Sequence, residues 1–300
     1  MKKITIASRD SKLALWQTNF VKLRIEQELG IDCEVITMKT QGDIILDKPL
    51  SKIGGKALFM KELEVAMQNG KADIAVHSLK DIPYELPEGF TIASFMPRED
   101  PRDAFVSNKF RNINELPQGA IVGTSSLRRK AQLLSYRKDL VIKDLRGNVQ
   151  TRLAKLDRGD YDAIILAGAG LIRLELQARI AQLIPVEISL PAVGQGVVAI
   201  EVLEKDSKVL NVLEKLNDKQ SYQTSLAERA FNQELKGGCH VAIAAFATLK
   251  NDEITLKARV ASSDGQIILE RQEQGNDPVN VGVKLAQEMI SLGAREILEQ

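Results

Sequence analysis

Between Arg128 and Arg152 the chain places eight basic side chains (Arg128, Arg129, Lys130, Arg137, Lys138, Lys143, Arg146, Arg152) against two acids, Asp139 and Asp144. The whole 300-residue chain has a formal net charge of only +1, so this stretch is a local concentration. Thr124-Ser125-Ser126-Leu127-Arg128-Arg129 reads as the turn between a strand and a helix start. Backbone N–H groups, hydroxyls and guanidinium forks at such a turn all favour an anion. Arg146-Gly147-Asn148 follows the next strand, at the carboxyl edge where open α/β sheets bind ligands. A solvated basic face has the same composition, but placement at two strand ends favours a site.

Two further stretches carry reactive groups. His77-Ser78-Leu79-Lys80-Asp81-Ile82-Pro83 follows a buried apolar strand, and a carboxylate beside Lys80 can act as acid, base or charge stabiliser. A lone aspartate in a turn is also a common structural feature. Gly237-Gly238-Cys239-His240 lies just past a helix. A thiolate at Cys239 can be a covalent nucleophile, although a buried free cysteine more often behaves as a small hydrophobe. Gly168 and Gly170 lack the third glycine of a dinucleotide loop, and no phosphate-binding loop or G-x-S-x-G elbow is present.

The elements that must position these groups follow a repeated grammar. Ile4 to Ala7 reads as a strand, Leu13 to Leu23 as an amphipathic helix stopped at Gly30, and Cys33 to Met38 as a second strand. Residues 41–55 form a long loop without a clean period, Phe59 to Met67 a helix, and Ile74 to Val76 a buried strand. The grammar returns with a strand at 120–123, a helix from Leu127, a strand at 140–142 and a helix over 149–156. Gly70-Lys71-Ala72-Asp73 and Gly159-Asp160-Tyr161-Asp162 stand before corresponding apolar runs. Alternating strands and helices imply parallel sheets with crossover helices, here in two similar α/β halves. From about residue 219 the pattern changes. Ser225-Leu226-Ala227-Glu228 has the form of a capping box, with a helix running to Gly237-Gly238. Strict alternation over 254–260, a turn at Ser263-Asp264-Gly265 and a return over 267–269 predict a hairpin, and a last helix follows.

Composition bounds the function. The chain is 44% hydrophobic and 27% charged, with two cysteines and two histidines, which excludes a disulfide scaffold and a Cys/His metal cluster. The balanced charge and sparse aromatics argue against a nucleic-acid partner. Arg9 and Asp10 interrupt the N-terminus before an apolar signal segment forms, and no apolar run is long enough to span a membrane, so a cytoplasmic location is expected.

Together these stretches resemble the porphobilinogen deaminase, or hydroxymethylbilane synthase, family. The resemblance runs nearly end to end, through Ala7 to Gln17, Gly54 to Glu64, Ala75 to Pro83, Val122 to Leu133, Leu145 to Leu153, Pro191 to Gly196 and Gly237 to Cys239. One departure follows Cys239, where His240-Val241-Ala242 replaces the family's usual Gln, β-branched residue and Pro. The resemblance implies an α/β fold of two type II periplasmic-binding-protein-like domains plus a small α+β C-terminal domain. Domain 1 would comprise residues 1–98 and 197–216, domain 2 residues 99–196 and domain 3 residues 217–300. The two crossovers would form a hinge, Val197 to Leu203 would be a strand of domain 1, and residues 41–55 would be an active-site lid.

It also implies a chemistry. A dipyrromethane cofactor, bound covalently through a thioether to Cys239, would prime the addition of four porphobilinogen molecules with loss of ammonia, and hydrolysis would release hydroxymethylbilane. Asp81 matches the family's catalytic aspartate. Ser78, Lys80, Thr124, Ser125, Ser126, Arg128, Arg129, Arg146 and Gly147 would bind the cofactor. Arg9, Ser11, Lys56, Arg152, Arg173 and Gln195 would bind substrate. No metal, membrane, nucleic acid or protein partner is implied, and the family is usually monomeric. The rival from another class is a two-lobed module that closes on a small carboxylate without chemistry. Cys239 discriminates between them, because a binding module needs no covalent anchor.

Overall fold

The computed structural model describes residues 3–40, 60–238 and 241–299. The loop at 41–55, Lys56, Cys239 and His240 lie outside them. The chain divides into two compact units, Met1–Glu99 with Val197–Gln223, and Asp100–Gly196 with Thr224–Gln300.

The first unit is built on one five-stranded sheet. Strand β1 (Lys3–Arg9) leads through helix α1 (Lys12–Leu29) to β2 (Asp32–Met38), and helix α2 (Lys61–Gln68) leads to β3 (Ile74–Ser78). A single turn, Leu79–Asp81, and β4 (Phe90–Phe95) follow. The chain returns later as β10 (Val198–Leu203) and helix α6 (Ser207–Leu213). The sheet order is β2-β1-β3-β10-β4, with β10 antiparallel to both neighbours. Alternation sorts the faces. Ile4, Ile6, Ile74, Val76, Val198, Ile200 and Val202 pack with Val21 and Ile25 of α1 on one side. Ala7 and Ala75 pack with Leu63, Ala66 and Met67 of α2 on the other.

The second unit repeats this plan. Its strands are β5 (Asp103–Val106), β6 (Ile121–Gly123), β7 (Val141–Lys143), β8 (Ala163–Ala167) and β9 (Gln182–Leu183). Helices α3 (Leu127–Tyr136), α4 (Val149–Asp157) and α5 (Gly168–Arg173) connect them, and the order is β7-β6-β8-β5-β9 with β5 antiparallel. Both sheets thus place second, first and third strands in a row and insert an antiparallel strand from the far side of a crossover. This is the type II periplasmic-binding-protein arrangement. The repeated G-x-x-D has a matching structural role. Asp73 accepts from Thr5 N at 2.6 Å and Asp162 from Ile121 N at 2.8 Å, so the two aspartates pin the corresponding strands β1 and β6. Gly70 and Gly159 precede them at φ 66° and 83°, which disfavours a side chain.

The C-terminal part is α+β. Helix α7 (Lys219–Glu234) precedes an antiparallel sheet of β11 (Ala242–Lys250), β12 (Glu253–Ala261) and β13 (Ile268–Gly275), covered by α8 (Pro278–Ser291) and α9 (Ala294–Leu298). The capping box at Ser225 does not start a helix. Helix α7 begins six residues earlier, where Asp218 accepts from Ser221 N, and Glu228 instead accepts from Gly194 N at 2.6 Å and Ala247 N at 2.9 Å. Arg259 of β12 donates to Gln132 Oε1 and to the Glu187 carbonyl, fastening this sheet to α3 within the same unit. Among the described residues no helix is long and apolar enough to cross a membrane.

Candidate functional site

In the first unit the carboxyl ends of parallel β1 and β3 open a cleft. Arg9 ends β1, Ser11 caps α1, Ser78 ends β3 and Asp81 closes the turn that follows; all four line the cleft with Leu13, Gln17, Met60 and His77. Ser11 Oγ accepts from Ala14 N, and no acid occupies the first turn of α1, so the positive end of the helix is left for an anionic ligand. Gln17 Nε2 donates to Ser78 Oγ at 2.7 Å, bracing the end of β3 from α1. Leu79 N donates to the Val197 carbonyl at 2.9 Å, which sets the turn carrying Asp81. The Asp81 side chain is exposed, and Lys80 beside it is half-buried.

In the second unit the loops after β6 and β7 are tied together. Ser125 Oγ donates to the Leu145 carbonyl and accepts from Leu145 N, both at 3.0 Å, and Ser126 Oγ caps α3 at Arg129 N. Thr124 Oγ1 accepts from Ser126 N. Arg128 and Arg129 are buried and converge on Asp103, which is itself fully buried. Arg128 grips both Asp103 oxygens at 2.8 and 3.0 Å and donates to the Leu190 carbonyl, while Arg129 Nε donates to Oδ1 at 2.9 Å. Ser189 and Gln195 donate to the same carboxylate. Burial alone would raise the Asp103 carboxyl; the charges of Arg128 and Arg129 override it and hold the group far below the usual carboxylate range. Arg173 is buried and donates to the Gly196 carbonyl at 2.6 Å. Arg152, half-buried, donates to the Gly147 carbonyl at 2.7 Å, and Arg146 precedes that glycine. Gly147 has φ 114°, and a Cβ there would meet the Thr151 side chain.

The structure therefore brings Arg9, Ser11, Ser78 and Asp81 together in one unit, with Lys80 on the same turn. It gathers Arg128, Arg129 and Gln195 around Asp103 in the other. Gln17, His77 and Asp103 were not singled out from the sequence as site residues. Gln17 lies inside a family-like stretch, whereas nothing in sequence spacing links Asp103 to arginines 25 and 26 positions away. The one described cysteine, Cys33, is buried, and burial pushes its thiol up to about 11, which makes it a poor nucleophile.

The family model described as "Porphobilinogen deaminase, dipyromethane cofactor binding domain" matches residues 4–211, and that described as "Porphobilinogen deaminase, C-terminal domain" matches residues 222–291. The chain belongs to the porphobilinogen deaminase family. Porphobilinogen deaminase of Francisella tularensis subsp. novicida is 74% identical over 299 residues, and that of Francisella philomiragia 73% over 300, each match covering 100% of both chains. The family's enzymes are transferases of porphyrin and haem biosynthesis that carry a dipyrromethane cofactor. Fainter likenesses reach a putative methionine-binding lipoprotein of Bacillus subtilis, at 12% identity and TM-score 0.45, covering 72% of this chain and 90% of that one. A YaeC-family lipoprotein of Enterococcus faecalis stands at 14% and 0.46, covering 72% and 90%.

Proposed function

We propose that Asp81 is the reacting carboxylate of this chain and Cys239 its covalent anchor. The chain is a transferase that deaminates porphobilinogen and joins four molecules head to tail, releasing the linear tetrapyrrole hydroxymethylbilane. Its cofactor is dipyrromethane, which supplies the primer on which rings are added. The observation that carries the residue assignment is the cleft that collects Arg9, Ser11, Ser78 and Asp81 at two strand ends and a helix start. The residues present suit such a polycarboxylate group: Arg128 and Arg129 bring two positive charges against the single Asp103 carboxylate, and Thr124, Ser125 and Ser126 fill the turn between β6 and α3.

Each residue then has a defined task. Loss of ammonia from porphobilinogen leaves an electrophilic carbon, and bond formation to a pyrrole spreads positive charge onto ring nitrogens. The Asp81 carboxylate accepts pyrrole N–H bonds and stabilises that charge. It also helps carry a proton to the departing amine. Arg9, Arg152 and Arg173 bind the acetate and propionate groups of incoming rings, since guanidinium forks fit carboxylates better than ammonium groups do. Ser11, Gln195 and Lys56 complete that set. Arg128, Arg129 and Arg146, with Gly147, Thr124, Ser125, Ser126, Ser78 and Lys80, hold the cofactor's carboxylates. The proposed division is residues 1–98 with 197–216, 99–196 and 217–300, working as a cytoplasmic monomer without a protein or nucleic-acid partner.

Intact mass of the purified protein tests the anchor. Loaded protein exceeds the bare chain by two linked pyrroles, Cys239→Ala lacks the increment and all turnover, and Cys33→Ser keeps both. A fully active protein at the bare chain mass contradicts the assignment.

A further inference from the structure

The face of the first sheet covered by α2 holds three ionisable side chains at positions where the second unit has Leu153, Leu166 and Val106. Alternation puts His77 of β3 and Glu201 of β10 on that face beside Ala75 and Ala199. Helix α2 brings Glu64 to it along with Leu63 and Met67. Glu64, His77 and Glu201 are all buried, and His77 Nε2 lies 2.9 Å from Glu201 Oε2. Glu64 and Glu201 each leave a buried Oε1 without a hydrogen-bond partner. The other charged neighbour of Glu64 is Glu62, on its own helix.

In the second unit the fold does without these groups. Aligning the sheets on Asp73 and Asp162 sets Leu166 at the position of His77 and Val106 at that of Glu201. Leu153 and Leu156 of α4 cover that face, packed with Ile164 and Leu166. Buried ionisable groups are costly, so three of them at positions that tolerate leucine and valine need a purpose beyond the fold.

We propose that Glu64 and Glu201 share one proton, with Glu64 as its donor, and that the pair is a positioning device holding His77 in the wall of the cleft where Asp81 reacts. Two ionised carboxylates buried on this face would leave surplus negative charge and two acceptor oxygens without partners. One proton on Glu64 removes a charge and converts one stranded oxygen into a donor for the other. Glu201 Oε2 stays paired with His77 Nε2. Burial first, and the Glu201 charge second, push the Glu64 carboxyl up to about 7, with His77 pulling it the other way. His77 lines the cleft between Val76 and Ser78, so the pair fixes from behind the strand end that leads into Asp81. Glu64 and Glu201 act through His77 and touch no reacting atom.

The proposal rests on Asp81 as the reacting carboxylate, and its test has a readout independent of that role. Infrared spectra of the cofactor-loaded enzyme at mildly acidic pH, below the Glu64 value of about 7, are expected to show the carbonyl stretch of a protonated carboxyl group, lost in Glu64→Gln and unchanged in Asp81→Asn. The amide of Glu64→Gln still donates, so this variant is expected to recover most of the activity that Glu64→Ala loses. The double variant Glu64→Leu/Glu201→Val copies the apolar face of the second unit. It is expected to keep its melting temperature, because apolar replacement of buried charges is commonly neutral, and to lose roughly tenfold or more in kcat through a displaced His77. Absence of the carbonyl band in the parent enzyme overturns the shared proton. Turnover by Glu64→Ala equal to that of Glu64→Gln overturns the positioning role, whether or not the double variant folds.

Discussion

At the first residue of its antiparallel strand the first sheet has Val198 and the second has Asp103; three residues further on they have Glu201 and Val106. The two sheets share order and register, yet each buries its acid at a different rung. Asp103 meets two guanidinium groups and is held ionised. Glu201 meets one imidazole, with a second carboxylate close by. The ends of the third strands differ as well. After β3 comes Leu79-Lys80-Asp81, and after β8 comes Gly168-Ala169-Gly170, leading to Arg173. One topology thus offers a carboxylate at one strand end and arginines at another, and function is set by what is mounted there rather than by the fold.

The largest expected effect that would break this comparison is at Asp103. Asp103→Asn takes the buried carboxylate from between Arg128 and Arg129, and removing one partner of a buried pair costs about 3–5 kcal/mol. Urea unfolding of the variant measures it, and a loss below about 1 kcal/mol would make Asp103 a bystander. Its folded pKa is depressed, so the stability it contributes is complete above the ordinary value of 3.8 and lost as pH falls through the folded value.

Glu64 has the opposite sign. Its folded pKa is raised from 4.5 to about 7, so the native state holds the proton more tightly. The stability that proton contributes is complete below 4.5 and lost as pH rises to about 7. Glu64→Gln is expected to remove that pH-dependent contribution, at most about 3 kcal/mol across the whole window, read from unfolding midpoints on either side of it. An unchanged slope would place the titrating group elsewhere.

The smallest effect sharpens the likeness. Ser11 and Ser126 cap the helices that follow β1 and β6, the corresponding strands of the two sheets. Replacing either with alanine is expected to cost about 1 kcal/mol in melting experiments. A markedly larger cost at Ser126 would show that the arginine turn depends on its cap.

Much of this plan was legible in the sequence where local signals agree. The β1–α1–β2 run and the G-x-x-D pairs were readable because glycine stops and apolar periods coincide there. Strand β5 was not: Asp103-Ala104-Phe105-Val106 is too short to show a period, and its first residue is an acid that partners distant in sequence make tolerable. Strand β11 is rich in alanine and shows little alternation. Ser225 and Glu228 imitate a helix start, and only the positions of Gly194 and Ala247 reveal that Glu228 serves tertiary contacts. The return of the chain as β10 came from the family resemblance rather than from pattern, since a crossover of about a hundred residues leaves no local mark. Asp81 was visible as a carboxylate at a strand end, whereas the Glu64–Glu201–His77 cluster needed the fold to bring it together.

The most direct test of Asp81 is a short pulse of porphobilinogen on cofactor-loaded Asp81→Asn, followed by intact mass and turnover. Losing one preorganised contact to transition-state charge costs roughly 3–4 kcal/mol, so turnover is expected to fall about 10²–10³-fold while the cofactor mass remains and added rings are scarce. Ring addition and turnover within a few-fold of the parent, with the cofactor in place, would contradict the assignment and leave Asp81 a turn residue.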